Sequence, residues 1–399
     1  MNVRPPLRML IATMLCAAMS TTLAAADATT PPTPVPQDRA AAAHRRPAPV
    51  GLREGELIVK TVPGRAAALQ RVVGRVNGRA AAALGGGVSV VSVAPGEELA
   101  AAAALSSDPA VAYAEPNYVR TATSHVAAEV GWGVRFSRAA ALWGRTPSIT
   151  GAGIRVAVLD SGVDHTQSEL RGRMAAGYDT YGASGRDDCG HGTAVAGVIA
   201  ASHDGSDVVG VAPAATIVPV KVLKFDRYFG CAGDDAAIVR GIRWAAGPGR
   251  ADVVNLSLGA PHRSRALGDA IGYAASRGVL VVAASGNSGD RTVNYPAAYP
   301  QVLSVGGIRR AAGSVRWWPQ SSFGAVDLVA PAQGVPVLRA RGIDETMIGR
   351  ACPGDPSRWC ADGTSFAAPH VAGVAALLHH QHPELRNLSA GVRLRRLRQ

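Results

Sequence analysis

Lysine is nearly missing from this sequence. Lys60, Lys221 and Lys224 are the only three, so almost all of the 41 basic residues are arginine, and the net charge of +12 is scattered rather than gathered into runs. Aromatic residues are also few, at 5%. A nucleic-acid-binding face needs clustered cations, commonly with aromatics among them, so no nucleic-acid partner is expected. Long hydrophobic runs are lacking too. No segment after the N-terminal leader reaches the roughly 18 apolar residues of a membrane span, and no membrane anchor is expected in the mature form. Charged residues make up only 18% and hydrophobic residues 47% of the 399 positions. That balance supplies a large core and excludes both wholesale disorder and a single small module.

What is present begins with a leader. Residues 1–26 carry Arg4 and Arg8, an apolar stretch from Met9 to Leu23, and Ala24-Ala25-Ala26 before Asp27. This is the layout of a secretory signal peptide, so a secreted protein, extracellular or periplasmic, is expected. Cys16 leaves with the leader, and Cys189, Cys231, Cys352 and Cys360 remain. An even number in an oxidising compartment suggests two disulfides, with three pairings open. Residues 27–50 are rich in Thr, Pro and Ala, with nothing to bury, and read as a flexible linker.

Residues 51–122 read as a small α+β unit. Gly55–Thr61 and Val88–Val93 have strand composition, Glu97–Leu105 is helical, and Val111–Tyr118 reads as a last strand ended by Pro116. At about 70 residues a single core is marginal, so this unit is expected to need a partner surface. Over residues 123–399 the pattern changes. Apolar runs at Ile154–Leu159, Ile217–Leu223, Val253–Leu258, Val279–Ala284 and Val302–Val305 alternate with helical stretches near His191–Ala201, Asp234–Ala246, Ser264–Ser276 and Thr364–His380. Short buried runs separated by helices predict an α/β fold, a mainly parallel doubly wound sheet with helices on both faces. Chemistry in such sheets sits at the carboxyl ends of the strands.

Three segments stand at such positions. Asp160 ends the first strand in Leu159-Asp160-Ser161-Gly162, His191 opens a helix in Gly190-His191-Gly192-Thr193, and Ser365 opens another in Gly363-Thr364-Ser365-Phe366-Ala367-Ala368-Pro369-His370. Singly, each has a plainer reading as a turn residue, a surface histidine or a helix cap. Together they supply a nucleophile, a base to take its proton, and a carboxylate to orient the base and stabilise its charged form.

In the order Asp, His, Ser these segments resemble the signature segments of the subtilisin-like serine peptidases. The resemblance runs from about Trp132 to the C-terminus and implies a serine endopeptidase acting on proteins or peptides, with Asp160, His191 and Ser365 catalytic. It extends to Val279–Gly289, where Asn287 matches the oxyanion-hole donor, with the Ser365 backbone N–H as its partner. The related sedolisin class pairs Ser with Glu, and His191 and Asn287 argue against it. The strand end Ser257-Leu258-Gly259, the segment around Gly230, and Asn294 are implied to bind substrate, with Asn294 standing where relatives often carry Gly. The unit at 51–122 resembles the family's inhibitory propeptide through Ala114-Glu115-Pro116-Asn117-Tyr118, which implies a self-processing zymogen whose own propeptide is its inhibitor. The polar connector Arg120–Glu129 is the expected place of the cut. On this fold Cys352 and Cys360 flank one short loop while Cys189 and Cys231 share one edge of the sheet, so those pairs are expected. No cofactor is implied for catalysis. A structural calcium is common in the family, but Asp187, Asp188, Asp234, Asp235 and Asp290 show no ligand spacing, and the metal site is left unknown.

Overall fold

The computed structural model describes residues 52–122, 132–145, 147–182, 185–203, 208–311, 314–343, 348–352 and 355–388. The expected signal peptide, the linker and the whole of the connector after Ala122 lie outside the described residues.

The N-terminal module runs β1 (Leu52–Thr61), α1 (Leu69–Gly74), β2 (Arg79–Gly85), β3 (Val88–Ser92), α2 (Glu98–Ser106) and β4 (Val111–Ala122). Its strands pair antiparallel in the order β2-β3-β1-β4. Strand β2 is alanine-rich and carries no β-forming composition; it exists because Gly85, Gly86 and Gly87, all at positive φ (82°, 62° and 75°), turn the chain back onto β3. Strand β4 does not end at Pro116 as expected. Pro116 pairs with Leu57 at an irregularity, where the β1–β4 register shifts between Leu52 and Leu57. A missing N–H costs least at such a break, and β4 continues to Ala122.

The C-terminal module begins with α3 (Trp132–Ser137) and α4 (Ala140–Trp143), then β5 (Arg155–Asp160), β6 (Tyr178–Asp179), α5 (His191–Ala200), β7 (Thr216–Lys221), β8 (Lys224–Asp226), β9 (Gly230–Asp234) and α6 (Asp235–Ala246). It continues with β10 (Val253–Leu256), β11 (Leu258–Gly259), α7 (Arg265–Ser276), β12 (Leu280–Ala284), β13 (Val302–Ala311), β14 (Ser314–Trp317) and β15 (Leu328–Pro331). It closes with β16 (Val335–Pro336), β17 (Arg350–Cys352), β18 (Asp355–Ala361) and α8 (Thr364–Gln381). The main sheet has the order β14-β13-β12-β10-β5-β7-β6, with β15 beside β13; every pairing in it is parallel except β13–β14. Order reverses around β5, whose two neighbours come later in the chain on opposite sides, so the carboxyl end of β5 opens a crevice.

The sheet is buried on both faces, which is why its strands read as unbroken apolar runs. Val156 and Val158 of β5 join the core with α5 and α8, while Ala157 and Leu159 join the core with α6 and α7. Helix starts are satisfied by side chains: Asp234 accepts from Ala237 N at 2.8 Å to cap α6, and Ser264 accepts from Leu267 N at 3.2 Å to cap α7.

Candidate active site

Asp160 is the last residue of β5, and its Oδ1 accepts a hydrogen bond from its neighbour's backbone, Ser161 N, at 2.8 Å. His191 is the first residue of α5, after Gly190 at φ 82°. The turn after Asp160 lies directly on this helix because Gly192 has no side chain: a Cβ there would sit 2.0 Å from Gly162 O. The result is a hydrogen bond of 2.8 Å between His191 Nδ1 and Asp160 Oδ1, with both side chains fully buried. Burial alone would push the His191 pKa down. The charge of Asp160, its hydrogen bond and the charge of Asp187 outweigh that, and the imidazole titrates above its ordinary 6.5. Its Nε2 is buried and has no hydrogen-bond partner.

Ser365 is the second residue of α8 and is fully buried. Its Oγ donates to Ser257 O at 3.0 Å, so in this state the hydroxyl rests on the backbone after β10 rather than on His191. Hydrogen bonds of this kind tighten only when substrate arrives in many enzymes. A second contact grips the same residue. Pro369, four positions further along α8, has no N–H to give to Ser365 O. Ser257 Oγ donates to that carbonyl instead, at 2.7 Å, and itself accepts from Asn255 Nδ2 at 2.9 Å.

Asn287 follows β12. Its Oδ1 accepts from Thr364 N at 3.0 Å and Thr364 Oγ1 at 2.8 Å, which fixes the amide so that Nδ2 is the free end. That nitrogen is buried with no partner, beside the first turn of α8. A buried donor left open in this way suits a developing oxyanion.

Of the residues expected to bind substrate, Leu258 and Gly259 form β11, and they pair antiparallel with Ala122 and Thr121 of β4. Gly230 sits at the turn end of β9, opposite Asp226 of β8, and among the described residues β4 pairs with Ala232, Gly233 and Asp234 of β9. The antiparallel register of β4 with β9 carries the position opposite Gly230 one residue past Ala122, outside the described residues. Asn294 is buried between two glycines. A Cβ on Gly286 would lie 2.8 Å from Asn294 Nδ2, and one on Gly259 would lie 3.1 Å from Asn294 Cβ. Disulfides join Cys189 to Cys231 (Cα–Cα 5.9 Å) and Cys352 to Cys360 (5.0 Å).

The acidic residues considered as calcium ligands are committed elsewhere. Asp187 takes five hydrogen bonds from the protein, Asp188 pairs with Lys221 at 2.7 Å, Asp234 caps α6 and pairs with Arg53, Asp235 is buried within the first turn of α6, and Asp290 accepts from Thr292 N. Among the described residues no group of three or more His, Cys, Asp or Glu side chains is placed to hold a metal ion.

Three elements of the site are not visible in the sequence: the Thr364 contact that orients Asn287, the double contact of Ser257 with Ser365, and the Asp187 hub. Pro369 inside a helical pattern is the one available signal, since it announces a carbonyl four residues earlier in need of another donor.

A doubly wound parallel sheet with Ser, His and Asp brought to the ends of different elements defines a serine hydrolase class of architecture. Residues 151–397 match the Subtilase family of peptidases, and residues 38–117 match the Fervidolysin N-terminal prodomain. An alkaline protease of Shouchella clausii is 39% identical over 286 residues, covering 71% of this chain and 68% of the relative. Subtilisin E of Bacillus subtilis is 36% identical over 299 residues, covering 73% and 71%. The crystal structure of fervidolysin from Fervidobacterium pennivorans, a keratinolytic enzyme related to subtilisin, superposes with a TM-score of 0.69 at 27% identity, covering 86% of this chain and 56% of that one. The chain belongs to the subtilase family: it is a subtilisin-like serine endopeptidase with an N-terminal prodomain.

Proposed function

We propose that this protein is a secreted endopeptidase, made as a self-processing zymogen, that hydrolyses peptide bonds through Asp160, His191 and Ser365 by way of an acyl-enzyme. Ser365 Oγ attacks the scissile carbonyl while His191 Nε2 takes its proton, and Asp160 holds the ring and stabilises the imidazolium. Asn287 Nδ2 and the N-terminal N–H groups of α8 receive the oxyanion. Collapse expels the amine, which takes its proton from His191; water then repeats the sequence and releases the acid. None of these steps needs a cofactor. Residues 1–26 support export, and the two disulfides suit an oxidising compartment.

The observation that carries the reading is the course of β4. This strand is a polypeptide lying antiparallel between β9 and β11, with Ala122 opposite Leu258. The next residue of the cleft wall is Ser257, whose carbonyl holds Ser365 Oγ. This course supports the reading that the chain presents its own backbone as a substrate does, with the propeptide cut expected in the connector that follows Ala122. Earlier residues of the expected connector, Arg120–Ala122, belong to the docked strand rather than to a free linker.

Intact-mass measurement tests it. Purified wild-type precursor should yield a mature species beginning shortly after Ala122, and Ser365→Ala precursor should stay whole. Equal processing of the Ser365→Ala form with no other protease present would assign the cut to another enzyme.

A further inference from the structure

The Asp–His pair accounts for the orientation of His191 but not for how the helix that carries it is held against β5. Gly190, the N-cap of α5, has no side chain to bond the open N–H groups of the first turn. In the sequence Asp187 is one loop carboxylate among several. In the structure it is 2% exposed and both oxygens point into the start of α5. Oδ1 accepts from Cys189 N at 3.0 Å, Gly190 N at 2.8 Å and Ser161 Oγ at 2.7 Å; Oδ2 accepts from Thr193 N at 2.9 Å and Thr193 Oγ1 at 2.6 Å. Ser161 Oγ in turn accepts from Gly192 N at 2.9 Å. One carboxylate therefore joins the turn that follows Asp160 to residues on both sides of His191.

Resting on the triad reading above, we propose that Asp187 is a positioning residue for catalysis: it caps α5, locks the Asp160 turn onto it, and places a second negative charge behind the histidine that acts as base. A buried anion at a helix N-terminus is favourable in itself, so the arrangement costs little stability. The other charged groups around it are accounted for. Asp160 bonds the imidazole, the Asp164 carboxylate accepts from Thr166 and from Arg341 N with the Arg186 charge acting on it, and Lys221 Nζ reaches Ser161 O at 2.6 Å and Asp188 at 2.7 Å. Phe366 covers the ring with centroids 5.6 Å apart. Lys221 opposes the anions but is shared with Asp188, whereas Asp187 is matched by neutral donors only, so its charge acts on His191.

The test uses the full chain. In matured enzyme, Asp187→Asn should lower kcat by about 10- to 100-fold, the scale of a small misplacement of reacting groups, with KM within about twofold, and should move the acid limb of the kcat profile to lower pH. In unprocessed Ser365→Ala chain, the downfield ring N–H proton resonance of His191 should titrate at lower pH once Asp187→Asn is added, a readout that needs no activity. Ser161→Ala keeps the charge and removes one tie, so kcat should fall while the acid limb stays. An unmoved acid limb and resonance midpoint in a folded Asp187→Asn protein overturn the proposal. If Asp187→Asn does not fold, Ser161→Ala decides it, and unchanged kcat there overturns the positioning role. Labelling by a serine-directed phosphonate separates the two readings: label on a residue other than Ser365 sinks the triad itself, whereas Ser365 labelling with a silent Asp187→Asn sinks only the role of Asp187.

Discussion

The two modules solve the problem of burial in different ways. The catalytic module covers its sheet on both faces with its own helices. The prodomain covers one face only: Leu57, Val59, Val91 and Val93 meet α1 and α2, whereas Ile58, Leu84, Val88, Val90 and Tyr113 belong to the core built around α6 and α7 of the catalytic module. Polar groups repeat the pattern. Glu115 accepts from Ser264 Oγ at 2.7 Å, Arg265 N at 2.6 Å and Ala266 N at 2.8 Å at the start of α7, and Asn117 Oδ1 accepts from Ala236 N at 3.1 Å at the start of α6. Lys60 and Tyr113 both reach Asp269 on α7. A prodomain of this design is half of an interface, with one sheet face covered by its own helices and the other by the catalytic module.

The sharpest way to separate the modules is to remove the chemistry and keep both folds. Ser365→Ala should lower kcat by on the order of 10⁶, the size known for the subtilisin triad, and adding His191→Ala should cost little more because the residues act as a unit. Single-turnover rates on a peptide anilide, with the prodomain of each variant first removed in trans by wild-type enzyme, measure this, and a strictly additive double variant would contradict it. Next in size, Asn287→Ala should reduce kcat by about 10² to 10³ with little change in KM, again the scale seen for the subtilisin oxyanion hole. A loss confined to KM would make Asn287 a pocket residue.

The interface comes third. Glu115→Ala strips an anion from three donors and should weaken the grip of the cleaved prodomain by about 2 kcal/mol or more, on the order of 30-fold in affinity. Inhibition of mature enzyme by released prodomain reads it, and an unchanged inhibition constant would show that the apolar face alone does the holding. In the catalytic module, replacing Cys352 and Cys360 by Ser opens a short loop and should cost about 2 to 3 kcal/mol in denaturant unfolding of the Ser365→Ala chain. A smaller effect is the pH dependence. A base works only when unprotonated, so kcat should fall as pH drops through the His191 pKa, which Asp160 and Asp187 hold above 6.5. His370 does not contribute to that limb, since burial takes its pKa down to about 4, and it donates Nδ1–H to Phe366 O at 2.7 Å. A limb centred well below 6.5 would remove the electrostatic account.

Much of this molecule is legible in its residues. Helices α5, α6, α7 and α8 fall within a residue or two of where periodicity and caps put them, because Asp234 and Ser264 are local start signals and the strands between are buried on both faces. Asp160, His191, Ser365 and Asn287 each have a plainer local reading, and they stand out only when taken together and through their resemblance to the subtilisin-like signature segments. Relations that depend on distance in space are not legible in this way. Strand β2 has no β composition and is held by its hairpin and by β3; β4 runs past Pro116 because β9 and β11, far later in the chain, take it up.

Residue type and short-range spacing were enough to predict the class of fold and the order of Asp, His and Ser, and to raise the expectation that the small N-terminal unit packs on a partner surface. Long-range packing was needed to show that Asp187 caps the helix of His191, that Pro369 leaves Ser365 O for Ser257, and that the prodomain's last strand enters the cleft beside Gly233 and Leu258. The physical reason is that a hydrogen bond or strand pairing depends on where donor and acceptor lie in space, and residues far apart in sequence acquire that proximity only when the sheet has formed.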